Sequence, residues 1–322
     1  MMRRVRMGKR RAPLFTMLVV ACVLMLLTLL TMGEYAALDR RVGRVVAVAS
    51  SGPGETWVIV GSDSRADLPP GGSTFGTAAD VPGRRADVVL VVHKQGRETS
   101  VLSLPRDLLV SPNWHTTARL TLTLQQPQML VDGLCASLGI PTNHLVVIDM
   151  AGFARIVDAL GGITVSIPHP VTDASTGLNI TSAGIQVLTG VQALALVRSR
   201  HPRELIDGTW TQATDIEGAE ARTRWAGELL HEILAQAKHA ALNPIQAQTI
   251  AWVGSGVLST DPTTTLADLL RIWPVDAAVI DVPADEIPGA AIAMSTPDTQ
   301  DVLSEAGFAP GSCRSGSARN SS

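Results

Sequence analysis

The sequence predicts an α/β domain, and three observations carry that prediction. Short β-branched or aliphatic runs of strand length recur along the chain, at Trp57–Val60, Val88–Val92, Val101–Leu104 and Leu145–Ile148. Segments with helical spacing of apolar residues follow, at Phe153–Leu160 and over 211–238. With 322 residues and 46% hydrophobic content, the chain can bury one large core, or one core and a small satellite.

Taken in order, the chain opens with Arg3, Arg4, Arg6, Lys9, Arg10 and Arg11, followed by an uncharged apolar run from Leu14 to Met32. That length is close to the roughly 20 residues a membrane-spanning helix needs, and exceeds the usual apolar region of a cleaved signal peptide. Residues 14–33 are therefore expected to be a permanent transmembrane helix, with the basic tail 1–13 in the cytoplasm and the remainder outside the cell. Residues 34–54 read as a linker or short membrane-proximal helix ending in the turn Ser50-Ser51-Gly52-Pro53-Gly54. A folded domain is expected over 55–295.

Trp57–Val60 reads as a buried strand running into the small-residue loop Gly61-Ser62-Asp63-Ser64-Arg65. The Gly-, Pro-, Ser- and Thr-rich stretch from Ala66 to Gly83 reads as a long exposed loop. The central feature is a predicted antiparallel hairpin, with Arg85-Ala86-Asp87 entering its first strand and Leu104-Pro105-Arg106-Asp107 leaving its second. Such a hairpin brings its two charged ends to one rim. Arginine forks suit phosphate and carboxylates on rigid backbone suit Mg²⁺, although charges at strand ends also serve simply to block aggregation.

Beyond a stretch from Ser111 to Gln128 that shows no clear period, a helix is expected from Met129 to Leu138, stopped by Gly139. Leu145–Asp149 and Ile163–Ile167 read as strands, and Phe153–Leu160 between them as a helix halted by Gly161-Gly162. Val191–Val197, readable as helix or strand, delivers Arg198 and Arg200; on a strand their spacing would place both on one side. A long helix is expected over 211–238, then a shorter one over 266–273 and a strand over 277–282. From Thr296 the periodicity fades, and 296–322 is expected to be a disordered tail.

The net charge of −3 offers no whole-chain argument for nucleic acid as a partner. Cys22 lies in the apolar run, while Cys135 and Cys313 permit either a disulfide in an exported domain or two free thiols. Without a CxxC or a Cys/His cluster, structural zinc is not expected.

Four segments together resemble the LytR–CpsA–Psr (LCP) proteins of bacterial cell envelopes. They are Gly61–Arg65; Arg85-Ala86-Asp87 with Ser103–Asp107; Val157-Asp158-Ala159-Leu160-Gly161-Gly162-Ile163; and Leu188-Thr189-Gly190 through Val197-Arg198-Ser199-Arg200. The resemblance implies a three-layer α/β/α fold with a central mixed sheet and an apolar tunnel for a polyprenyl chain. It also implies transfer of a glycopolymer, with its linking phosphate, from a polyprenyl-pyrophosphate carrier to a peptidoglycan hydroxyl. Carried over by position, Asp63 and Asp87 match the family's Mg²⁺ carboxylates, and Arg85, Arg106, Arg198 and Arg200 match its pyrophosphate-binding arginines, with Arg106 also placed at the reaction centre.

The family's Asp-x-x-Arg-x-x-Arg-Gln signature is incomplete. Counted from Asp215, Gly218, Ala221 and Arg222 stand where Arg, Arg and Gln are expected; slipped by one, Ala219, Arg222 and Thr223 do. Arg222 is thus a further expected pyrophosphate ligand, and Asp215, Glu217 and Glu220 are expected either to accept the hydroxyl proton or simply to favour the start of a helix. Two alternatives accompany transfer: hydrolysis of the same pyrophosphate, and a non-catalytic accessory protein that binds the lipid carrier.

Overall fold

The computed structural model describes residues 31–66, 83–113, 115–240, 242–272, 277–287 and 290–316, together with Met25 and Ala79. The transmembrane helix expected over 14–33 and the basic tail lie almost wholly outside the described residues; among those described, no helix is long and apolar enough to cross a membrane.

Residues 31–41 form helix α1, followed by β1 (Gly43–Arg44). Next come β2 (Glu55–Ser62), β3 (Ala86–Gln95), β4 (Glu98–Leu104), β5 (Leu109–Asn113) and β6 (Thr116–Arg119). The short α2 (Leu120–Thr123) and α3 (Pro127–Leu138) precede β7 (His144–Asp149) and α4 (Met150–Ala159). β8 (Ile163–Ile167), β9 (Val171–Asp173), β10 (Leu178–Ile180) and β11 (Gly184–Leu188) lead to α5 (Gly190–Arg198). After β12 (Arg203–Ile206) and β13 (Thr209–Gln212) come α6 (Asp215–Ala240), α7 (Pro244–Val257), β14 (Leu258–Thr260) and α8 (Leu266–Arg271). β15 (Val279–Asp281), β16 (Asp285–Glu286), β17 (Ala293–Met294) and α9 (Pro297–Glu305) complete the described chain.

The central mixed sheet runs β1-β14-β7-β2-β3-β4-β15 among the described residues. β2 pairs antiparallel with β3 and parallel with β7, and β3 pairs antiparallel with β4. The end of β2, the start of β3, the end of β4 and the end of β7 therefore meet at one edge. The expected hairpin is present, with a turn at Gly96-Arg97, and Gly96 adopts φ +65°. The turn is tighter than the sequence suggests because His93 is buried and His93–Gln95 continue the ladder.

Alternation along the strands separates two apolar faces. Val58, Val60, Val91, Leu102, Leu145 and Val147 pack with Leu130 and Leu134 of α3 in the main core, which also takes Leu303 of α9 and Phe308. Trp57, Val92, Val101 and Val146 lie on the other face, beside the partly buried Ile59, Ile148, Leu258 and Leu269. A satellite core joins α4, α5 and α6 to the β8–β11 segments through Val157, Ile163, Leu188, Leu194, Trp225 and Leu229.

The structure corrects two expectations, the free C-terminal tail and the start of the long helix, and decides two that the sequence leaves open in favour of helix, at the start of 34–54 and at 191–197. The segment 34–54 is part of the fold: α1 precedes β1, which pairs with β14, and Arg44 donates to the backbone oxygen of Thr264 at 2.6 Å. The tail expected to be disordered is folded through its described part, because Thr296 caps α9, Leu303 and Phe308 enter the core, and Cys313 is disulfide-bonded to Cys135 across a Cα separation of 5.3 Å. Residues 191–198 are helical, so Arg198 and Arg200 do not share a strand face; the Thr189/Gln192 capping box starts the helix and Ser199 ends it. The start of the long helix moves to Asp215, since Thr209–Gln212 pairs with β12 instead.

Candidate active site at the strand ends

A polar cavity of about 190 Å³ opens at this edge, lined in part by Asp63, Arg85, Asp87, Arg106, Arg198 and Arg200. The elements bring together residues more than a hundred positions apart. Asp63 leaves β2, Asp87 enters β3, Arg106 and Asp107 follow β4, and the arginines at 198 and 200 arrive from the end of α5.

The backbone itself aims Asp87. The β2/β3 register passes from Gly61↔Val88 to Ser62↔Ala86, so Asp87 is the extra residue of a bulge. Bulges locally bend a strand and redirect a side chain, and they concentrate beside active sites. Asp63 is clamped opposite: its backbone N–H donates to the Arg85 carbonyl at 3.1 Å, and its Oδ1 accepts from the Arg85 N–H at 2.8 Å. Asp63 as a residue is 6% exposed, and desolvation followed by repulsion from Asp87 raises its pKa above the ordinary 3.8 despite that hydrogen bond.

Arg106 joins the carboxylates, donating from Nη1 to Asp87 at 2.9 Å and from Nε to Asp107 at 3.2 Å. Arg119 approaches Asp107 at 3.5 Å. Burial, first among its causes, lowers the pKa of Arg198, whose Nη1 lies 2.8 Å from Met150 Sδ at the start of α4. Asp149, ending β7, fixes that helix start by accepting from the Gly152 N–H at 2.6 Å.

Arg222 reaches the same charge cluster from α6. Burial and then the positive charges of Arg106 and Arg200 lower its pKa, and its buried Nε has no hydrogen-bond partner among the described residues. The incomplete helical signature has a steric counterpart: a Cβ at Gly218 would stand 1.9 Å from the Arg200 carbonyl oxygen. A side chain there would force α6 away from the segment carrying Arg200. Glu217 is exposed and caps α6 by accepting from the Thr214 N–H at 2.8 Å and hydroxyl at 2.9 Å, which gives it the helix-start role. The side chains of Asp215 and Glu220 lie outside those described.

Asp63, Asp87, Arg85, Arg106, Arg198 and Arg200 thus line one cavity, and Arg222 is electrostatically coupled to it through Arg106, Arg200 and Asp87. Sequence reasoning did not select Arg65, Asp107, Arg119, Thr121 or Leu122 as site residues, yet all line the cavity. Arg65 and Asp107 stood inside recognised segments. Arg119, Thr121 and Leu122 come from the stretch without a clear period, where two short strands and one helical turn are too brief to show one.

Two carboxylates, one with its ionised form disfavoured by the other, make a donor set that fits Mg²⁺, which commonly takes one or two protein carboxylates and completes its shell with water and substrate phosphate. The surrounding guanidinium groups suit a diphosphate.

Comparison with known proteins places the chain among relatives of one family. The chain is 32% identical over 186 residues to the "probable cell wall biosynthesis protein LcpB" of Corynebacterium glutamicum, a match covering 56% of this chain and 45% of that one. It is 32% identical over 148 residues to the "polyisoprenyl-teichoic acid–peptidoglycan teichoic acid transferase TagU" of Halalkalibacterium halodurans, covering 44% of each. The matches therefore span about half the length of these relatives. Among solved structures, a LytR-Csp2A-Psr enzyme from Actinomyces oris superposes with a TM-score of 0.72 at 35% identity, over 85% of this chain and 99% of that one. B. subtilis TagT shares the fold, with a TM-score of 0.55 at 18% identity, over 82% and 98% of the two chains. Residues 35–212, more than half of the chain, match the LytR_cpsA_psr family, and the chain belongs to that family.

Proposed function

We propose that this protein is a single-span envelope protein whose external domain transfers a glycopolymer, with its linking phosphate, from a polyprenyl-pyrophosphate carrier to a peptidoglycan hydroxyl. The observation that carries the reading is the convergence of Asp63, Asp87, Arg85, Arg106, Arg198 and Arg200 on one small cavity, supported by a relative whose name states such a transfer.

In this reading the hydroxyl oxygen attacks the phosphorus that bears the glycopolymer. The bond from that phosphorus to the bridging oxygen breaks, and polyprenyl phosphate leaves, taking up the proton that the hydroxyl gives up. Negative charge grows on the bridging and non-bridging oxygens, where Arg106, Arg198 and Arg200 stabilise it without reorganising. Arg85 and Arg222 hold the outer phosphate oxygens. Asp87 orients Arg106, and Asp63 with Asp87 would hold Mg²⁺, which supplies further neutralisation of phosphate charge when bound. In this reading the isoprenoid tail lies along the partly buried Ile59, Ile148, Leu258 and Leu269, which pack on the Trp57 face of the sheet.

The test is release of polyprenyl phosphate from a polyprenyl-pyrophosphate glycolipid by the full chain in detergent, with and without Mg²⁺ and with a peptidoglycan acceptor. Metal-dependent release coupled to acceptor labelling, and lost in Arg106→Ala, is the expected result. Release without acceptor labelling would make the protein a hydrolase; tight glycolipid binding without release would make it an accessory protein.

A further inference from the structure

Helix α7 is unusual for the surface of an exported domain. Its 14 residues, Pro-Ile-Gln-Ala-Gln-Thr-Ile-Ala-Trp-Val-Gly-Ser-Gly-Val, contain no charge, and only Ser255 is fully buried. Leu242 in the preceding turn is 82% exposed, Ile245 80% and Trp252 48%. Large apolar side chains grouped in this way mark a surface that is covered in use.

The neighbouring helix indicates what covers it. Gln248 Nε2 donates to the Glu34 carboxylate, and the Arg41 guanidinium lies over the Trp252 ring at 4.1 Å. A Cβ at Gly256 would meet Arg41 at 2.6 Å. As the chain advances from Glu34 to Arg41 along α1, its partners advance from Gln248 toward Gly256, so the two helices run in the same direction.

The uncharged run ends at Met32, two residues before Glu34. Ile245 lies three residues before Gln248, about 4–5 Å further back along α7 at the usual helical rise. Ile245 is therefore roughly level with the end of the apolar run, and Leu242 lies in the turn just before it. The turn that presents them is braced: the Leu242 N–H donates to His239 O at 3.1 Å, and Asn243 caps α7 by accepting from Ile245 N–H at 3.0 Å. Lys238 and His239 stand exposed at the end of α6, where basic groups meet phospholipid headgroups, while Trp252 and Tyr35 lie further along.

We propose that the α6–α7 corner docks on the outer face of the membrane, with Leu242 and Ile245 inserted at the headgroup–acyl boundary. The domain is thereby held in one orientation by a second contact beside its anchor. This inference rests on the single-span reading above. Binding at the headgroup–acyl boundary scales with the apolar area buried there, so insertion of Leu242 and Ile245 needs no further protein partner.

The test uses the full chain with Cys22→Ser, so that a new cysteine is the one available thiol, reconstituted in phosphatidylethanolamine/phosphatidylglycerol vesicles. An environment-sensitive fluorophore is placed at Ile245→Cys, at Leu242→Cys or, as a reference, at Arg97→Cys in the β3–β4 turn. Docking predicts a blue shift and several-fold stronger quenching by nitroxide-bearing lipids at 245 and 242 than at 97. Protein that floats with the vesicles after an alkaline wash but shows equal, weak quenching at all three positions would overturn the docking and leave the anchor standing. Protein that does not float would overturn both.

Discussion

Asp63 and Asp261 are both buried aspartates that follow strands of the central sheet, yet their surroundings differ. Asp261, after β14, accepts from the Leu145 N–H at 2.9 Å, from the N–H groups of Thr263 and Thr264 at 2.9 and 3.1 Å, and from both threonine hydroxyls. These bonds outweigh the desolvation of its carboxylate and lower its pKa. Asp63 has the Arg85 N–H, faces Asp87, and has a raised pKa. One carboxylate is fully occupied in holding strands together; the other retains unmet demand for positive charge. Burial alone does not distinguish a structural acid from a functional one, whereas the satisfaction of its oxygens does.

The largest expected effect of breaking this contrast is on turnover. Asp63→Asn should lower glycolipid turnover by about 10²–10³-fold, the scale for losing one preorganised electrostatic group, while the denaturant midpoint stays equal or rises. A variant with full turnover would remove Asp63 from the reaction. Asp261→Ala should do the reverse, costing about 2–4 kcal/mol in chemical denaturation because several buried donors lose their acceptor, with turnover per folded molecule retained.

Acid titration of stability sharpens the same comparison. Because the Asp261 pKa is lowered in the fold, its stabilisation is present above the ordinary 3.8 and is lost as pH falls through the folded value. Because that of Asp63 is raised, its ionisation penalises the fold as pH rises past 3.8 and does so fully above the folded value. Relative to wild type, Asp63→Asn should therefore gain stability between acidic and neutral pH, and Asp261→Ala should lose it; matching slopes for wild type and both variants would contradict the assignment. The smallest effect is expected from Gly218→Ala, which should displace the Arg200 segment and weaken binding of the pyrophosphate glycolipid by roughly one order of magnitude, about 1.4 kcal/mol, as read by fluorescence titration.

Much of this was legible in the chain because it is encoded locally. The hairpin at 86–104 follows from two short aliphatic runs around a glycine turn, and Gly139 adopts the left-handed conformation expected of a residue ending α3. The sites at 63, 85, 87 and 106 lie at the ends of such strands, so recognising the strands located the rim. The course of 191–200 could not be read so directly, because Val191–Val197 is apolar except for Gln192 and too short for periodicity to distinguish helix from strand. The C-terminal segment was misread for a related reason: α9 is nine residues long and inserts few apolar side chains, and the disulfide that secures the following chain joins positions 178 apart.

What the sequence determined by itself was therefore a set of strands, their charged ends and the chemistry those charges can perform, since strand period, turn residues and side-chain type are properties of neighbours in the chain. Only the tertiary structure decided that Asp87 sits on a bulge, that Arg198, Arg200 and Arg222 converge on it from two helices, and that Gly218 yields its side-chain space to the Arg200 carbonyl. Those outcomes depend on contacts across long stretches of chain, where packing and desolvation, rather than local propensity, choose the arrangement.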